Sequence, residues 1–62
     1  MDKYYAKLTR SQLMKAQTEI SDAQEYLAEA DAPDWALARL SKIMSSLRNL
    51  HDAIGVLTDY QP

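Results

Sequence analysis

The chain has 62 residues, a net charge of −2, no cysteine, one glycine and 47% hydrophobic residues. At that length it forms one small domain, marginal unless something staples it; disulfides are excluded, and association with another chain is the staple that remains. The small charge imbalance points to neither nucleic acid nor an acidic substrate, and the lack of cysteine fits a reducing compartment.

The N-terminal run MDKYYAKLTR has no apolar core of the signal-peptide kind, and no run approaches membrane-spanning length. A soluble cytoplasmic protein is therefore expected. Neither proline nor glycine interrupts residues 1–32. Within LTRSQL, Thr9 is placed to cap a helix, with Gln12 as its reciprocal partner and Leu8 and Leu13 as a hydrophobic staple. An earlier start capped by Asp2 is the alternative. From Leu13 the apolar positions run Leu13, Ala16, Ile20, Ala23, Leu27 and Ala30, a spacing that alternates three and four. This is a helical seam with alanine in every second layer, which lets a neighbouring helix approach closely.

EADAPDWA breaks the pattern. The residue before a proline disfavours helical geometry, Pro33 suits a helix start, and Asp31 and Asp34 supply acids near its positive end. A second seam follows: Ala36, Leu40, Ile43, Leu47, Leu50, Ile54 and Leu57. The pattern thus predicts one all-α domain, with helix 1 over about residues 9–30, a corner at 31–33 and helix 2 over about 34–60. A corner this short between helices of similar length makes an antiparallel hairpin.

Charge supports that folding. Residues 1–18 carry four bases and one acid, residues 19–34 six acids and no base, and residues 35–51 three bases and no acid. If position i faces about 64 − i, as an antiparallel corner at 31–33 requires, Glu25 lies level with Arg39, Asp22 near Lys42 and Lys3 near Asp59. Each exposed pair adds only ~0–1 kcal/mol, so the seam supplies the stability.

The seams hold more apolar surface than two helices can bury between them. Leu37 and Met44 flank the second seam, and Ala53, Val56 and Tyr60 widen the apolar band near its end. Burying one Leu or Ile contributes ~1.5–3 kcal/mol, so a partner is expected, either a second copy in a four-helix bundle or a different protein. The candidate partner-binding residues are Leu40, Ile43, Met44, Leu47, Leu50, Ile54, Val56, Leu57 and Tyr60, divided in some way between hairpin core and partner, with Val56 and Tyr60 the better candidates for contact.

Features bearing on chemistry are few. His51 and Asp52 are adjacent, and neighbouring helical residues point about 100° apart, so His51 is expected on the flank of the seam rather than in a catalytic or metal role. Asp22, Glu25 and Glu29 share a face without a histidine at ligand spacing, which reads as a solvated surface. No phosphate-binding glycine loop or nucleophile constellation is present, and the chain is expected to be no enzyme, with no cofactor, metal or small-molecule substrate. Lys3, Lys7 and Arg10, with Tyr4 and Tyr5, permit an RNA-binding alternative: a dimeric hairpin regulator like the plasmid-copy-number protein Rop, which has similar length and large/small layering. A phage- or plasmid-encoded inhibitor of a host protein is a third possibility. Gly55, inside the second helix, costs ~1 kcal/mol against alanine and is expected where another helix's backbone comes close.

A capped first helix, a short polar corner and a Leu/Ile-rich second helix ending in LRNLHDAIGVLTDY resemble the small helical-hairpin co-chaperones of type III secretion needle subunits, of the YscE/PscE type. The resemblance covers roughly Tyr5 to Tyr60 and is densest at Leu50, Ala53, Ile54, Val56 and Leu57. It implies a cytoplasmic, non-enzymatic co-chaperone that binds a larger helical-repeat chaperone and helps keep the needle subunit unpolymerised until export.

Overall fold

The computed structural model describes residues 1–59. They form two helices, α1 (Lys3–Glu29) and α2 (Asp34–Asp59), packed side by side as an antiparallel hairpin. The Cα trace measures 49 × 16 × 10 Å, a slab one helix thick.

α1 begins six residues before position 9. Asp2, in extended conformation, is the cap: its carboxylate accepts from the Tyr4 and Tyr5 amides at 2.9 and 3.2 Å. A carboxylate there satisfies two N–H groups that the helix cannot, and it meets the positive end of the dipole. Thr9 is thus not a cap. Deep in the helix, its hydroxyl donates back to the Tyr5 carbonyl at 2.8 Å.

The corner is closed by a Schellman arrangement. The Ala32 amide donates to the Leu27 carbonyl at 3.2 Å and the Asp31 amide to the Ala28 carbonyl at 3.0 Å. That geometry needs a left-handed residue, and Asp31 supplies it with φ of 60°; Asp is among the few residues besides glycine that tolerate the region. Pro33 then precedes α2 and its carbonyl accepts from the Ala36 amide, so the chain reverses within four residues.

Two cross-helix contacts fix the register. Gln24 donates to the Ser41 hydroxyl at 2.9 Å, and the Arg10 guanidinium lies over Gly55, so facing residue numbers add to 65. The level pairing read from the corner is accordingly right to within about a residue, but it does not create ion pairs. Among the described residues no Lys or Arg pairs with a carboxylate. Arg39, level with Tyr26 and Glu25, instead sits 6.0 Å from the Trp35 ring centroid.

The seam of α2 differs from the one the spacing predicts. Leu40, Leu47 and Ile54 belong to both, but the hairpin completes the row with Leu37, Met44, His51 and Thr58, all at least partly buried. Ile43, Leu50 and Leu57 remain outside, 46%, 50% and 53% exposed. α2 is therefore turned by about 50°, half of one residue's rotation. With apolar side chains on both sides of the Leu40–Leu47–Ile54 row, spacing does not distinguish the two settings. In the setting observed, Gly55 lies under the Arg10 guanidinium. On α1, Ala6, Leu13, Ile20 and Leu27 form the central row, and Ala30, assigned to the seam by spacing, is exposed.

A candidate docking face and a basic groove

The two sides of the slab are chemically different. Arg10, Gln17 and Gln24 of α1 lie on the same side as Ser41 and Gly55 of α2, as the two cross-helix contacts require. Toward the open end this side forms a groove of about 730 Å³, lined by Lys3, Lys7, Arg10, Met14, His51 and Asp59 among others. Ala16 and Ala23 of α1 project to the opposite side, and so do Ile43, Leu50 and Leu57 of α2, because each set lies across its helix's central row.

The candidate partner-binding residues therefore separate. Ile54 is buried, and Leu40, Met44 and Leu47 are partly buried in the seam. Ile43, Leu50, Val56 and Leu57 are exposed, with exposed Ala53 beside Leu50 and Leu57. Tyr60 lies outside the described residues. Tyr5, Leu8 and Tyr26 of α1, 65%, 44% and 76% exposed, border the same side. Spacing does not single out Tyr5 and Tyr26, because on a solvated helix an isolated aromatic carries no period, and it assigns Leu8 to a staple at a helix start that the structure places earlier.

A whole face is left uncovered. Among the described hydrophobic residues only Ala6 and Ile54 are buried, and no large side chain is fully enclosed. No family model, curated protein or solved structure matches this chain. What the face does must be read from its own chemistry.

On the groove side, the separation expected of His51 and Asp52 does not occur. The imidazole Nδ1 lies 3.2 Å from the Asp52 carboxylate. Their Cα–Cβ bonds diverge by about 100°, but a ring and a carboxylate are long enough to fold back to one another across the helix surface. Ser11 lines the same groove, and the hydrogen bond that His51 makes is to Asp52. The described residues contain no group of three His, Cys, Asp or Glu positioned for a metal, and Asp22, Glu25 and Glu29 are simply exposed. Among the described residues no helix is long and apolar enough to cross a membrane.

Gly55 accommodates a side chain rather than the expected backbone. A Cβ built on it would fall 2.9 Å from an Arg10 Nη and 3.0 Å from Cζ, while the buried Arg10 Nε has no hydrogen-bond partner among the described residues. The guanidinium is the mobile end of a long side chain, and moving it into water restores hydration to that N–H. Alanine in mid-helix is favoured over glycine by about 0.8–1 kcal/mol. Gly55→Ala is therefore expected to stabilise the hairpin by some tenths of a kcal/mol, up to ~1, read as a raised urea midpoint at unchanged m-value. A lowered midpoint would show that the guanidinium's seat outweighs helix propensity.

Proposed function

We propose that this chain is a non-enzymatic protein-interaction module whose docking surface is the face carrying Ile43, Leu50 and Leu57. The observation that carries the reading is this heptad-spaced row, about half exposed on a slab one helix thick. Three large aliphatic side chains at that spacing match the stripe of an amphipathic helix, and burying what each still exposes is worth roughly 1 kcal/mol.

Within that class the finer reading is a cytoplasmic co-chaperone of a type III secretion needle subunit, resting on the resemblance at Leu50, Ala53, Ile54, Val56 and Leu57. The physical logic is consistent with the hairpin. A needle subunit is an amphipathic helix that polymerises through its apolar face, and a spare aliphatic row can cover such a face or brace the chaperone that does. The bases sharing the groove, Lys3, Lys7 and Arg10, are what would favour the RNA-binding alternative, but Asp59 on the facing helix and the Asp52 carboxylate on His51 weaken the field there. The inhibitor alternative has no feature of its own.

The test is co-expression with a needle subunit and its helical-repeat chaperone. Wild type is expected to co-purify, Leu50→Asp to be lost at least tenfold, and Met14→Asp, exposed on the groove side, to be retained. Absence of wild-type co-purification would remove the co-chaperone reading, and equal recovery of Leu50→Asp would remove the docking face from it.

A further inference from the structure

The accessible surface of the chain is 4937 Å². A compact monomer of 7.0 kDa exposes roughly 4,000 Å² by the scaling of surface with mass. The excess, about 900 Å², is what one partner of a standard interface covers, ~800 Å². Size and charge on the Ile43–Leu57 face indicate what would cover it.

The register places one large and one small residue in each layer of this face. Ile43 lies level with Ala23, Leu50 with Ala16, and Leu57 with Thr9, each within one residue of the register set by Gln24–Ser41 and Arg10–Gly55. A surface with a ridge on one helix and a furrow on the other is complementary to itself. Turned about a two-fold axis parallel to the helices, a second copy lays its α1 over the first copy's α2 at the same level. Each large residue then meets the partner's small one, as close packing requires.

The same rotation brings one acid–base pair level. Glu19 and Asp22 border the face along the outer edge of α1, and Arg39 and Lys42 along the outer edge of α2. In the rotated pair Asp22 of each copy lies level with Lys42 of the other, while Glu19 lies level with Ser46. The alternative two-fold, perpendicular to the helices, stacks α1 on α1 and α2 on α2; alanine then meets alanine and leucine meets leucine, leaving gaps on one side and crowding on the other.

We infer that the Ile43–Leu50–Leu57 face is covered by a second copy of this chain, in a four-helix dimer with both corners at the same end. The second copy covers this face in the isolated chain and gives way to the partner of the proposed function, on whose docking face the inference rests, so the two can fail separately.

Sedimentation of the purified chain at submillimolar concentration is expected to give twice the 7.0 kDa monomer mass. Leu50→Asp is expected to sediment as a monomer, and Met14→Asp as a dimer. Leu50→Ala alone is expected to weaken dimerisation at least tenfold, and adding Ala16→Leu, which exchanges ridge and furrow within one layer, to restore it; this pair guards against a Leu50→Asp variant that merely loses its fold. Spin labels at a cysteine introduced by Glu29→Cys report the axis. They should lie within about 25 Å with the corners together, against about 40 Å, a helix length, with the corners opposed. A wild-type monomer, a dimer indifferent to Leu50, or labels a helix length apart would overturn the inference. A monomer that still loses its heterologous partner on Leu50→Asp would leave the proposed function intact.

Discussion

Leu47→Asp is expected to abolish the hairpin, whereas Leu50→Asp, three residues further along the same helix, should leave it folded. Spacing assigns both residues to one seam. In the fold Leu47 is partly buried against α1 while Leu50 stands half exposed on the open face. A carboxylate at 47 loses the apolar contact and faces the other helix with no base at hand, a combined cost of at least ~3 kcal/mol. That is a large share of what a domain of this size can accumulate. At 50 the carboxylate stays in water, and only stabilisation derived from a docked partner is lost. Far-UV circular dichroism with thermal melting separates the two: no cooperative transition for Leu47→Asp, and for Leu50→Asp a cooperative one that no longer depends on protein concentration. If both variants melt alike, the 50° setting of α2 is wrong.

Ile54→Ala carries the next largest effect. Ile54 is the one large hydrophobic side chain buried among the described residues, at 9% exposure. Its truncation removes three carbons from a site with little else to fill the space, at a cost of about 2–4 kcal/mol. Ile54→Val should cost about 1 kcal/mol, and Val56→Ala, two residues on and exposed, under about 0.5 kcal/mol. Urea midpoints at fixed protein concentration give that ranking directly. A Val56→Ala loss as large as that of Ile54→Ala would place the core on the wrong side of α2.

These contrasts mark where pattern reading stops. The two helices, the corner and the antiparallel sense follow from local chemistry: an unbroken run of helix formers, a proline, and apolar residues returning every three or four positions. Even the register came within about a residue, because a short corner between antiparallel helices sets which positions lie level. The start of α1 was misplaced for a local reason as well. Thr9 and Gln12 form a capping pattern, and so does Asp2; choosing between them depends on whether residues 3–8 have anything to pack on, and Ala6, buried at 4% exposure, shows that they do. The closeness of His51 to Asp52 depends on side-chain rotamers, which residue spacing does not specify.

By itself the sequence determined that this chain is a helical hairpin with more apolar surface than two helices can cover, because periodicity, turn chemistry and the count of large aliphatic residues are local or additive properties. Which aliphatic residues are core and which are face was decided only by the tertiary structure. Leu40, Leu47 and Ile54 have apolar neighbours on both sides, and a helix can turn either flank inward at nearly equal gain in buried area. The setting adopted brings together residues 45 positions apart, with the Arg10 guanidinium laid over Gly55. In that setting Met44 and His51 turn inward and Ile43, Leu50 and Leu57 face out.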